Sequence, residues 1–315
     1  MTVSADDLER HLAKLSGRIQ NRRAGIYGPG TLSWEVNREG VVMLGGGAAA
    51  LLQLAHPFVA HAVDQHSDTR NDPAGRFQRT FEHVFAMVFG DLDHALVSAR
   101  RVHALHRTIR GRISEDVGRF RRGDRYEAND ERALLWVHAT LVDTALRVYE
   151  HLVTPLHPHE RNAYYAESKL FAYLFGIPDS VLPDSWEAFE RYYADEIASD
   201  TIAVGEPARQ MRRFLFTAPS PALSPLMRWY EAFTAGLLPR KLRAQLGFSW
   251  GPIDRALFAR SVPILRAAYR VTPSRFKRFP AYTEAERRLA GQPPHDLVGR
   301  SIERLALGLL STRRA

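Results

Sequence analysis

Apolar residues along this chain recur mostly at three- and four-residue intervals. Leu8, Leu12, Leu15 and Ile19 form one stripe in an otherwise polar segment, which predicts a helix over 6–22. Residues 41–63 are apolar nearly all round, so they read as a central helix buried on every side. Pro57 should kink or break it near Leu54. The run Gly45-Gly46-Gly47 inside it costs helix propensity, about 1 kcal/mol per glycine. Close approach by another helix or by a flat cofactor is the return that would justify it.

Further helices follow from their punctuation. Asp72-Pro73 opens one that runs to Phe89 and is closed by Gly90. Asp91 caps the next, expected to reach about Ile113. After a charged connection at 118–123, Asn129 or Asp130 caps a long helix to about Leu152. Helices over 158–175 and 184–199 come next, then shorter ones at 207–216, 225–237, 240–246, 253–269 and 294–310. Alternating strand patterns are scarce, and there is no repeat, low-complexity tract or obvious linker. The predicted architecture is all-α, one large helical domain over 1–315. Its core spans about 40–200, with a helical part, 201–315, packed on it.

Composition narrows the partners. The formal charge of +8 would suit nucleic acid, but only four of the 43 basic residues are lysine and the arginines are scattered from end to end. The excess of arginine over lysine is typical of a GC-rich bacterial genome, and the scatter argues against a nucleic-acid surface while leaving peripheral contact with anionic lipid open. With no cysteine there is no disulfide, thiolate ligand, iron–sulfur cluster or cysteine nucleophile. The N-terminus lacks a secretory pattern, and the longest apolar run is too short to span a bilayer, so a cytoplasmic protein is expected.

Eight of the thirteen histidines fall between Leu54 and Asp143. His103 and His106 lie on neighbouring parts of one helix, and His106 shares its apolar side with Val102 and Ile109, so it should point inward. A neutral inward imidazole can ligate haem iron through one nitrogen. Arg110, a turn later on the same expected helix, would suit a propionate or a core carboxylate. Arg76, Arg79 and Thr80 share another helical face, a fair site for an anion. Trp136, His138, Thr140 and Asp143 set polar groups into a helix too apolar to be exposed. Taken singly, each block reads at least as readily as buried, satisfied structure. His56 and His61 read as the end of the buried helix. Glu-x-x-His, His-Glu-x-x-His, P-loop, dinucleotide and nucleophile-elbow signatures are all absent from the sequence.

In order and spacing these blocks resemble the DUF2236 family, which includes the fungal MpaB oxygenase and the latex-clearing rubber oxygenases. The carriers are Leu54-Ala-His56-Pro57, Arg76-x-x-Arg79-Thr80, Phe89-Gly90-Asp91, Val102-His103-Ala-Leu-His106-x-x-x-Arg110-Gly111, Leu135-Trp136-Val-His138-Ala-Thr140 and Tyr164-Tyr165-x-Glu167. The resemblance covers about 40–199 and extends toward most of the chain. It implies a haem b held in a globin-like helical core, with His106 as the iron ligand and His103 as the backup. It maps the arginine and threonine near the haem onto Arg76 and Thr80. The implied chemistry is dioxygen-dependent cleavage of isoprenoid carbon–carbon double bonds. Two departures stand out. Arg79 replaces a lysine of the rubber oxygenases, and no glutamate between Gly40 and Arg76 supplies their distal base, leaving His61 and Asp64 as the nearest candidates.

The reading is therefore a haem-dependent oxygenase whose partners are dioxygen and a small lipophilic substrate. His106 holds iron, Arg76, Arg79 and Arg110 neutralise propionates or steer substrate, Thr80 lies close to the haem, and His138 lines the pocket. Two alternatives stay open: a haem or lipophilic-ligand binder without turnover, and a helical lipid-binding protein whose histidines are structural.

Overall fold

Capping chemistry starts the chain's first helix. In the computed structural model, which describes residues 1–67 and 73–293 and the side chains of all of these but 73–78, Ser4 and Asp7 form a reciprocal capping box at the head of α1 (Ala5–Arg18). Leu8, Leu12 and Leu15 are its buried stripe, as their spacing predicts. The short α2 (Leu32–Asn37) follows, its first amides held by Glu167: Leu32 N at 3.2 Å and Ser33 N at 2.6 Å.

The apolar stretch expected as one helix over 41–63 is three pieces. A 3₁₀ segment (Gly40–Gly45) leads into α3 (Gly46–Leu54), and α4 (Pro57–His66) departs from them at 103°. Pro57 sets the break, because it cannot donate into the preceding turn and it disfavours helical geometry at His56. His56 is extended and caps α4, accepting from Phe58 N at 3.2 Å. Two of the three glycines, Gly45 and Gly47, meet protein rather than open space. A Cβ on Gly45 would lie 2.6 Å from Thr144 Cγ2, and one on Gly47 2.9 Å from the Tyr230 hydroxyl. Of the two returns considered for the glycine run, helix approach is the one realised there.

Next come α5 (Pro73–Phe89) and α6 (Leu92–Thr108), joined by Gly90 and Asp91, with Asp91 accepting from His94 N at 2.9 Å. A connection this short between two extensively packed helices makes them an antiparallel hairpin. α6 stops five residues short of its expected end. Ile109 is extended, and residues 110–112 form β1 (Arg110–Arg112), paired antiparallel with β2 (Arg125–Glu127). Gly111 allows that turn toward a sheet, since a Cβ there would lie 2.6 Å from both Tyr126 Oη and Gln65 Oε1.

Asp130 caps the 22-residue α7 (Glu131–Leu152), accepting from Ala133 N at 2.9 Å. It is buried along most of its length and serves two cores. Ala139, Val142 and Leu146 join α3 and the later helices in one. Leu134 and Leu135 join α1, α5 and α6 in the other. The remaining helices are α8 (Pro158–Tyr173), α9 (Trp186–Ala198), α10 (Glu206–Phe216), α11 (Ser224–Leu237), α12 (Arg240–Gln245), α13 (Pro252–Val271), α14 (Ser274–Lys277) and α15 (Pro280–Leu289). The fold is an all-α single domain with one minute sheet. The helix expected over 294–310 lies outside the described residues. No single helix among the described residues is long and apolar enough to cross a membrane. The strongly bent pair Gly40–Leu54 and Pro57–His66 reaches that length and composition only when taken together.

Candidate functional site

The α5–α6 hairpin brings the two arginine- and histidine-bearing blocks together. His83 Nδ1 lies 3.2 Å from Ser98 Oγ, which fixes the level at which the two helices face each other. Because the helices are antiparallel, one turn from that contact sets position 80 beside Val102. A second turn sets position 76 level with His106. Thr80 is half-buried and Arg79 exposed on this hairpin; the side chain of Arg76 lies outside the described residues. His106 is half-buried and continues the strip of Ala95, Ala99 and Val102, apolar residues that pack into the second core. Its Nδ1 atom is buried.

His138 enters the same core from α7, in the turn after Leu134 and Leu135. The ring is buried, lies near-parallel to Phe171 with centroids 6.3 Å apart, and neither nitrogen has a hydrogen-bond partner. Burial alone pushes its pKa down to about 4, so the imidazole is neutral at physiological pH. Two unpartnered nitrogens in a buried ring are unusual, since buried polar atoms nearly always find partners.

His103 has both ring nitrogens buried and unpartnered as well, but on another side of α6. It faces α1, where Asp7 and Glu9 partly offset the downward push of burial and of Arg107 on its pKa. Arg110 is not on this surface. It begins β1, is exposed and stands opposite Glu127, so the expected His106-x-x-x-Arg110 helical pair does not form. The extended Ile109 and the close approach at Gly111 end the helix first.

His61 and Asp64 belong to a second locality. His61 is fully buried on α4, with Nδ1 2.9 Å from the Pro57 carbonyl and Nε2 3.2 Å from Ser114 Oγ. Nδ1–H donates to the carbonyl in this arrangement, and Nε2 accepts from the hydroxyl. Glu115 Oε1 is 3.9 Å from Nε2 and also accepts from Glu206 N at 2.8 Å. Asp64 is exposed on the same helix. A cleft of about 390 Å³ opens beside Glu115, reaching Asp200, Arg209 and Gln245. His56, nearby, is buried with its pKa pushed down to about 3 by burial and by Arg119. Sequence reasoning missed Ser114 and Glu115, which lie far from His61 in the chain. It also missed His83, although that residue follows Thr80 by one turn.

Among the described residues no three His, Asp or Glu side chains gather as a metal site. A haem iron asks the protein for only one or two donors, which this core can offer.

Residues 34–267 match the family model described as the catalytic domain of the ER-bound oxygenase mpaB/B' and rubber oxygenase. The chain belongs to this oxygenase family. The match takes in the α5–α6 hairpin, α7 and the His61 locality together. An uncharacterized protein of Mycobacterium bovis is 26% identical over 241 residues, covering 74% of this chain and 91% of its own. An uncharacterized protein of Mycobacterium tuberculosis matches with the same identity and coverage. No solved structure matches significantly.

Other family-like residues have structural roles. Trp136 donates its indole N–H to the Leu52 carbonyl at 2.8 Å, and Tyr165 donates to the Pro183 carbonyl at 2.9 Å. Glu167 holds the head of α2 by accepting from Leu32 N and Ser33 N.

Proposed function

We propose that this member of the oxygenase family is a haem b-dependent enzyme that oxidises a lipophilic, isoprenoid-type substrate with dioxygen. One observation carries the reading. The α5–α6 register sets position 76 level with His106, in the core that His138 enters with both nitrogens unpartnered. An apolar core that His138 enters as a neutral, unpartnered imidazole suits a flat, largely apolar macrocycle.

In this reading His106 holds the iron, with His103 as the alternative donor. Arg76 and Arg79 offset propionate charge, and Thr80 and His138 line the pocket. The haem supplies the dioxygen chemistry when bound. The protein's part is to orient the macrocycle, exclude water and keep His138 neutral. Arg110 drops out of the propionate set, because its strand carries it off the helix.

The position of His61 supports a second reading, a haem or lipophilic-ligand binder without turnover. Both ring nitrogens of the candidate base are already hydrogen-bonded, and to act it must release Ser114.

Absorption spectroscopy of protein produced with added haem tests the proposal. A Soret band that His106→Ala abolishes is expected, and its absence in the wild type overturns both readings. Dioxygen consumption with prenyl substrates then separates enzyme from binder.

A further inference from the structure

A second cleft, of about 460 Å³, lies away from these histidines, lined by Arg240, Arg243, Ala244, Phe248, Trp250 and Arg255. Arg240 and Arg243 are one turn apart on α12, and Arg255 comes from the first turn of α13. The Arg243 guanidinium lies 4.2 Å from the Trp250 ring centroid, and its Nη1 donates to the Ala235 carbonyl at 3.0 Å. Arg255 Nη1 donates to the Trp250 carbonyl at 3.4 Å.

Among the described residues none of the three arginines has a carboxylate partner. Their neighbours do: Arg212 pairs with Glu231 and Arg228 with Asp254. The nearest acid in sequence, Asp254, is taken up by Arg228, by Ser249 Oγ at 2.7 Å and by Gly251 N at 2.8 Å. Like charges converging without a counter-charge are unfavourable. Burial and the fields of Arg240 and Arg255 accordingly pull the Arg243 pKa down. An anion would relieve that repulsion.

We infer that this cleft binds a ligand with a phosphate or diphosphate head and a flat or apolar body. Planar guanidiniums match phosphoryl oxygens through paired N–H donors, and three of them call for more than one negative charge. Phe248 and Trp250 offer aromatic surface to the body. The volume falls within the range of about 300–1,000 Å³ usual for small-molecule sites, so an inorganic ion alone would underfill it. The same head chemistry is presented by a soluble phosphorylated metabolite and by a phosphatidic acid headgroup.

Calorimetric titration of the full chain with phenyl phosphate at low ionic strength tests the inference, with benzyl alcohol and sulfate as controls. Phenyl phosphate is expected to bind more tightly than either control. The Arg240→Gln/Arg255→Gln double variant, which changes two exposed side chains, should bind it at least about tenfold more weakly at an unchanged thermal midpoint. Absence of phenyl phosphate binding by the wild type, or equal binding by the double variant, overturns it. Co-sedimentation with phosphatidic acid vesicles that the double variant loses assigns the headgroup as the source. Retained phenyl phosphate binding without co-sedimentation assigns a soluble ligand.

Discussion

Replacing His138 by leucine is expected to stabilise the haem-free protein and to flatten its response to acid. The buried ring has a pKa of about 4 against an ordinary value of 6.5. Below pH 6.5 the unfolded chain takes up a proton that the folded chain refuses until about pH 4. Acid therefore favours unfolding across that window. The gap corresponds to a penalty of about 3 kcal/mol, absent above pH 6.5 and accumulating as the pH falls toward 4. His56 contributes a loss of the same sign, reaching down to about pH 3, and it remains in the variant. The wild-type curve should thus be steeper than that of His138→Leu by the His138 share alone.

At neutral pH the variant also removes two buried nitrogens that have no partner. Unsatisfied buried polar groups cost about 1–3 kcal/mol, and a poorer fit of leucine beside Phe171 returns about 1 kcal/mol of that. A net gain of about 1–2 kcal/mol is expected. Urea unfolding followed by circular dichroism at pH 7.5, 6 and 5 measures both effects through the midpoint at constant slope. Parallel stability–pH curves for the two proteins, or a variant less stable at pH 7.5, would refute the reasoning. If the core holds haem as proposed, occupancy should move the other way, falling in the variant while the haem-free protein gains. That opposition of signs is expected where a pocket is maintained at a cost in stability.

Two further substitutions probe the frame around the site. Gly45→Ala would press a Cβ to 2.6 Å from Thr144 Cγ2 and 2.9 Å from Val148 Cγ2. It should destabilise by about 1–3 kcal/mol in denaturant unfolding through overpacking against α7; no loss would mean the two segments can part at little cost. Trp136→Phe removes the 2.8 Å bond to the Leu52 carbonyl while keeping a ring beside Tyr193. A loss of about 1–2 kcal/mol is expected by the same assay.

Helix identities were legible in the sequence because capping residues and apolar stripes are local. Asp91, Asp130 and Ser185 each cap the helix they were expected to open, with side-chain oxygens accepting from the backbone three residues on. The errors arose where distant residues decide. Nothing near Ile109 announces that residues 125–127 will pair with 110–112 and end α6 early. The commitment of His61 was equally hidden, since its partner Ser114 lies 53 residues on, just past β1. Gly45-Gly46-Gly47 announced a close approach but not its partner, because a helix and a flat cofactor make the same demand on a backbone.

The relation between Arg76 and His106 is a different case, because its determinant was local all along. Residues 76 and 106 lie nearly equidistant from the Gly90–Asp91 turn, and in an antiparallel hairpin positions equidistant from the turn share a level. Periodicity identifies the face each residue occupies, whereas the shortness of the connection fixes how far along its helix each one sits. The His83–Ser98 contact lies nearer the turn and obeys the same rule. Two motifs on successive helices therefore come together through the two-residue turn rather than through any direct bond. Lengthening that turn by a few flexible residues would let the helices slide and uncouple position 76 from His106, while leaving each helix's own sequence intact.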